Sequence, residues 1–596
     1  MRRTVIDTLL AIGFLGVTVA ILVAWMNPAS HYEPSMYAGV PGSFWIGIGV
    51  ALAIATGVAM VCRGREQVVG IGLGGFAVTT IVSIPVLRNY RFSGMGDALT
   101  HLGWTRDIVN GDILPHDLFY PAFHSLAGAF HFLGGYSLER AMLIVVVVLF
   151  VPFLVFVPLV VREFGDGALA VGFAAIVSWM VLPINNVATH MGVHTNSNAL
   201  FLVPPVLFAV AAYLERDSGE DRLPLGVSPF SILLFVTGVS LLLVHPQQMI
   251  GVVALIGTIS AVQFLVRRRY VEHPILEHPT TYVHTFGLGI LTFGWAISNP
   301  RFRNALSGLI EGIFSSDVGG GNTVNDRGTS LTELGTSLTE LFTLMFLEAA
   351  LIGLAVGLLL LAVWRGWSTP NGDTRAFITY LGLSMFPLGG LFLVYFVGTP
   401  TMAFRQMGFI YVVVTVLAGV ALARGVGGLS KVLPRPGVTA LAAAFVAVCL
   451  VFGLITVHAS PLIYSSSQHV TNEQMGGYET ALDHGVEDQQ YAGFGYSPYR
   501  FDHAITGVDD TSVTSGTTDG TVDEEEFNDG NYSGAYRGSE YYFVVTEYDT
   551  TREFQVYDEL RYEEEGLEGI SAEPGADKVV SNDEFRMYDV EGSFSD

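Results

Sequence analysis

Thirteen apolar runs decide what this chain can fold into. They lie near residues 8–26, 44–62, 68–87, 139–161, 168–184, 198–214, 228–244, 247–266, 283–298, 339–364, 376–396, 404–423 and 438–457. A helix needs about 20 apolar residues to cross the hydrocarbon core of a bilayer, and helices keep their backbone polar groups satisfied there. Only 14% of the chain is charged, against about 25% in soluble domains. The expected fold class is a polytopic α-helical membrane protein of about 13 transmembrane helices with a small external α/β C-terminal domain. The first run is long for a signal peptide, and no small-x-small site follows it, so it reads as a retained helix.

Charge placement orients the spans. Arg2-Arg3, Arg63 to Arg65, Arg162, Arg216 and Arg222, Arg267 to Arg269, Arg365 and Arg375, and Arg424, Lys431 and Arg435 fall in alternate, mostly short connections. The excess of positive charge on cytoplasmic loops then puts the N-terminus in the cytoplasm. The loops 87–138, 185–197 and 299–338, the turns near His245 and Gly398, and the tail come out on the external face. Residues 1–457 read as the transmembrane unit and 458–596 as an acidic extracytoplasmic domain.

The tail holds 31 acidic against 6 basic residues, the whole of the net charge of -25, and lysine is confined to Lys431 and Lys578. Such a surface suggests a halophilic source, where salt screens self-repulsion. It argues against nucleic-acid binding, which needs Lys and Arg for phosphates. Cys62 and Cys449 sit in or beside apolar runs and build neither a disulfide framework nor a zinc motif. Residues 509–530 read as disordered or salt-solvated. In 541–596, YYFVVTEY and KVVSNDEFRMYDV read as strands around a helix-like TREFQVYDELRYEEEG. Asn531-Tyr532-Ser533 is a glycosylation sequon. Gly319-Gly320-Gly321 mark 299–338 as a mobile loop between short helices, a candidate gate.

The chemistry is expected in the 87–138 loop. Asp97 follows Gly94 and Gly96, and Asp97 and His101 are four apart on a helix-like stretch. A carboxylate there suits proton abstraction from a hydroxyl or a divalent metal. Taken alone, Asp97 reads as a helix cap. Asp107, Asp112 and Asp117 are possible second carboxylates, and His124 follows Tyr120-Pro121. On the same face, His190 and His194 are four apart, as a ligand pair or a sugar-binding edge. Arg405 stands at the outer start of a late span, where it either meets an anion or snorkels.

The order is a membrane helix, an acid at its outer end, an interfacial helix, a G-D-x-x-P turn, a Tyr-Pro-led segment and the next span. This order resembles the first external loop of GT-C fold glycosyltransferases, which use polyprenyl-phosphate-linked sugars at the external membrane face. His245-Pro246-Gln247 is similar to the His-Pro turn of that superfamily. The resemblance implies that Asp97 is the catalytic base and that Arg405 holds the donor phosphate. His101, His124, His245, His190 and His194 would position substrate. It further implies a dolichyl-phosphate-linked sugar, mannose above all, a glycan or glycoprotein acceptor, membrane lipids as surroundings, and a role in surface-layer glycosylation in a halophilic archaeon. Asp97 has no D-x-D or E-x-D partner, which leaves Mg or Mn only a possible cofactor, and the tail has no Trp for the oligosaccharyltransferase WWD-type motif. Transfer of a single sugar fits better than transfer of a whole oligosaccharide. A transporter or flippase of lipid-linked glycans is the alternative; it needs ionisable groups at mid-membrane depth.

Overall fold

The computed structural model describes residues 2–216, 223–314, 337–486, 489–495, 497–509 and 520–593. All thirteen apolar runs are helical. Among the described residues, 9 helices are long and apolar enough to cross a membrane by length and composition, so the chain is a multi-pass membrane protein. The others are shorter or more polar, among them Ala168–Trp179 and Pro229–Val244. The first of these stops early because the chain turns sharply behind it, with Val181 at φ 54. The second ends at His245, where Pro246 opens the next helix, Pro246–Arg269. Proline lacks the N–H that a continuing helix would use but fits a first turn.

Glu348 is buried well inside the Leu338–Trp364 helix, an ionisable group at depth in a span.

The 87–138 segment is a lid of two helices, Asp97–Asn110 and Ala122–Gly134, joined by a short turn at Pro115–Asp117. The loop expected at 299–338 opens with a helix, Pro300–Phe314. Its glycine triplet lies outside the described residues.

The tail folds back onto the lid. Strand β1, Phe92–Ser93, pairs antiparallel with β2, His469–Val470. A second sheet has the order β3 (Gln490–Ala492), β4 (Tyr541–Thr546), β6 (Phe585–Val590), β5 (Ala576–Ser581). β3 and β4 are parallel; the other pairs are antiparallel. KVVSNDEFRMYDV is therefore a hairpin of two strands. The helix-like 551–566 stretch breaks into a short π-helical turn, Thr551–Val556, and a helix, Glu564–Gly569. Positive φ at Asp558 and Glu559 interrupts it, a conformation that propensity alone does not foresee. Part of the patch read as disordered is folded: Glu524–Asn528 is helical, with Phe527 in the core of the sheet domain. Residues 510–519 lie outside the described residues.

A single apolar cluster joins lid and tail. Phe92, Leu99, Leu102 and Phe123 from the lid pack with Tyr478, Phe501, Tyr542 and Phe585 from the tail. Tyr478 and Phe501 stack with centroids 4.1 Å apart. The Asp97–Asn110 helix crosses Ser497–Thr506 so closely that a Cβ on Gly103 would lie 2.2 Å from the His503 carbonyl oxygen. Asp107 accepts from the Val508 N–H at 2.9 Å, and Arg106 Nε donates to the Ala504 carbonyl at 3.0 Å.

Candidate active site

Asp97 is the first residue of its helix, and the cap position belongs to Gly96. Gly94 and Gly96 both have positive φ, which turns the chain from β1 into the helix. Asp97 is therefore not spent as a cap. Its side chain is 60% exposed and pairs with Arg500, Oδ1 to Nη2 at 2.8 Å. Arg500 comes from the tail and also donates to Thr100 Oγ1 at 2.6 Å, which in turn lies 2.9 Å from His503 Nδ1.

Beneath Asp97 is a layer of rings. His101 Nδ1 lies 3.0 Å from His124 Nε2. Trp104 and Tyr120 meet His101 edge-on, and Tyr120 stacks on His245 with centroids 5.1 Å apart. Trp295 Nε1 donates to the Phe119 carbonyl at 3.0 Å and ties this segment to the following spans. The Arg301 guanidinium lies 4.3 Å over Trp104, and its charge acts on the Tyr120 hydroxyl.

His190 and His194 do meet, with ring centroids 5.7 Å apart. As expected of the 185–197 loop, 185–194 is irregular, and His194 stands at the cap position of the short Thr195–Leu200 helix. Asn185 organises this loop. Its side-chain oxygen accepts from the N–H groups of Val187, Ala188 and Thr189, and its amide donates to the Phe404 carbonyl at 2.8 Å. These bonds offer the backbone an alternative to helix, and they anchor the loop beside Arg405. Asn196 donates to Gln247 at 3.0 Å and accepts from Gln248 at 3.1 Å, and Gln247 reaches the Met402 carbonyl. The His-Pro turn is thereby fixed to the start of the Pro400–Leu429 helix.

Arg405 is largely buried. Its Nη1 meets Met402 Sδ at 3.7 Å, and its Nε has no hydrogen-bond partner among the described residues. Its charge acts on Asp97, Tyr120, His190, His194, His245 and His101. A snorkelling arginine would carry its head outward; this one points among the site residues. Burial, reinforced by the neighbouring positive charges, pushes His101 and His245 down to about 3 and His190 to about 4. His124 and His194 are held well below the ordinary imidazole range for the same first reason, burial. At neutral pH all five imidazoles are uncharged. Among the described residues, this cluster then sets one carboxylate, Asp97, against three guanidiniums, Arg301, Arg405 and Arg500. That surplus suits an anion.

The structure brings together Asp97, His101, His124, His190, His194, His245 and Arg405. It keeps the three further carboxylates apart. Asp107 is committed to the tail backbone, Asp117 accepts from the Leu114 N–H in its own turn, and Asp112 is exposed beside that turn. Among the described residues no three His, Cys, Asp or Glu ligands converge at Asp97. Sequence reasoning missed Arg301, Arg500, Asn196, Trp104 and Tyr120. Arg500 is one of only 6 bases in the tail, against 31 acids, and that rarity was the available signal.

No family model and no curated protein matches the chain. Among solved structures, ArnT from Cupriavidus metallidurans bound to undecaprenyl phosphate is 13% identical. The match covers 88% of this chain and 98% of that one, with a TM-score of 0.48. The apo oligosaccharyltransferase of Archaeoglobus fulgidus is 10% identical over 83% of this chain and 71% of that one, with a TM-score of 0.46. At these identities and scores the likenesses assign neither a family nor a function to this chain.

Proposed function

We propose that this chain is an inverting glycosyltransferase of the GT-C type. It moves a single sugar from a polyprenyl-phosphate donor to a hydroxyl of a glycan or protein acceptor. The observation that carries this reading is the charge balance among the described residues of the site: one carboxylate and three guanidiniums among uncharged imidazoles, at one end of a membrane helix bundle. A donor with its lipid tail in the bilayer would present phosphate and sugar at that level.

In this reading Asp97 takes the proton from the acceptor O–H. The acceptor oxygen bonds to the anomeric carbon from the face opposite the phosphate. The carbon–oxygen bond to phosphate breaks, and the phosphate leaves with the bonding pair and its negative charge, held by Arg405. Arg500 fixes where the Asp97 carboxylate points. The uncharged imidazoles are free to donate to and accept from sugar hydroxyls. The donor fits dolichyl phosphate mannose, the site faces the cell exterior, and the acidic tail suits surface glycoproteins in high salt. No step is routed through a metal.

The test uses membranes containing the full chain and radiolabelled polyprenyl-phosphate mannose. Label transferred to a glycan or protein, with inverted anomeric configuration, is expected. Label that crosses the bilayer without transfer would overturn the enzyme reading in favour of a flippase.

A further inference from the structure

At the opposite end of the bundle three other ligand side chains converge. The Thr195–Arg216 segment runs 22 residues from the chamber, a helical distance of about 33 Å. Glu215 lies at its far end. His278 sits between the Pro274–Leu276 turn and the Tyr282–Ser298 helix, and Asp373 lies in the first turn of the Gly372–Gly398 helix. One ligand atom from each lies within 4.8 Å of the other two.

We propose that Glu215, His278 and Asp373 hold a divalent transition-metal cation, of the zinc or manganese class, that staples three helical segments at the arginine-rich end of the molecule.

Two buried atoms point to it. The His278 side chain is 4% exposed and Glu215 21%, with Nε2 and Oε1 3.5 Å apart. Both atoms are buried and neither has a hydrogen-bond partner among the described residues. They approach one another without the geometry of a hydrogen bond. A buried polar atom left unpaired is costly, and a cation seated beside both would satisfy the two together.

The surroundings prepare the imidazole as a ligand. His278 Nδ1 lies 3.1 Å from the Tyr380 hydroxyl. With the proton on Nδ1 and donated to that oxygen, the Nε2 lone pair is free for a metal, the second-shell arrangement usual for histidine ligands. The loop itself is braced. Arg267 donates to the His278 carbonyl at 2.6 Å, Gln263 donates to the Pro279 carbonyl at 2.9 Å, and the Thr281 N–H donates to Gln263 at 3.0 Å. Asp373 is exposed and free to rotate inward. Bonds of about 2.0–2.2 Å need only a small closing of the three ligand atoms. One imidazole and two carboxylates favour zinc or manganese over magnesium, which keeps mostly oxygen ligands and water.

The test uses the full-length detergent-solubilised protein, purified through a tag without histidines and stripped with chelator. Zinc, manganese and magnesium are each added, and bound metal per chain is measured after gel filtration, together with the thermal unfolding midpoint. One zinc per chain, competed by manganese and not by magnesium, with a raised midpoint, is expected. Asp373→Asn, at an exposed position that tolerates change, should weaken zinc binding by more than about tenfold. His278→Ala should abolish it, and Asp97→Asn should leave it unchanged. Absence of stoichiometric zinc, or zinc retained at full affinity in Asp373→Asn, would overturn the proposal. Because this site lies at the other end of the bundle, the result is independent of whether the chamber transfers a sugar.

Discussion

Arg405 is the residue where charge and geometry are most tightly coupled. Its Nε is buried with no hydrogen-bond partner among the described residues, and its charge couples to that of Asp97. A lysine has no planar fork to replace it. Arg405→Lys is expected to lower transfer about 10²- to 10³-fold, mostly in kcat, measured with saturating donor in membranes. The histidines make a second prediction. Burial holds His101 and His245 at about 3 in the folded protein, against about 6.5 in an unfolded chain. Below about pH 6.5 the unfolded chain binds protons that the folded one refuses, so their contribution to stability is full above that pH and falls away as pH drops toward 3. The thermal midpoint of the solubilised protein should decline steadily from about pH 7 to about pH 4. His101→Gln should flatten that decline.

The contact between two helices sets where Arg500 stands beside Asp97. Gly103 lets the Asp97–Asn110 helix lie against the His503 carbonyl, and Phe501 stacks on Tyr478 behind it. Phe501→Ala should cost about 3–5 kcal/mol, read by chemical denaturation with tail fluorescence. Gly103→Leu should displace Arg500 from Asp97 and reduce transfer even where the spans stay folded. The sequence made the spans legible because length and apolarity suffice for them. It also made legible Asp97, His101 and His124, because they gather in one polar loop between two runs, and Arg405, because it stands at the start of a run. The loop at 185–197 was legible, but the way Asn185 folds it beside Arg405 was not, because a spacing of two histidines carries no sign of those backbone bonds. Arg500 stood out only as a rare base in an acidic tail; nothing in the 400 positions separating it from Thr100 indicates the pairing.

At the scale of the molecule, the chain gathers two polar clusters at the two ends of one apolar bundle. One end holds Asp97 and its guanidiniums under a lid shared with the tail, and the other holds Glu215, His278 and Asp373. The tail is structurally part of the first end, since β2 pairs with β1 and Arg500 completes the chamber. Its net charge of -25 repels itself across an interface held mainly by apolar packing. Salt shortens the Debye length from about 10 Å at 0.1 M to about 3 Å at 1 M. The thermal midpoint of the full chain should therefore rise with sodium chloride over that range, although its exposed ion pairs weaken.

The whole account rests on Asp97 as the base that accepts the acceptor's proton. The most direct measurement is transfer of labelled sugar by Asp97→Asn in membranes, with insertion checked by protease mapping. The account predicts correct insertion, donor binding comparable to the unaltered chain, and transfer reduced by about 10²- to 10⁴-fold. Full transfer activity in Asp97→Asn would contradict it.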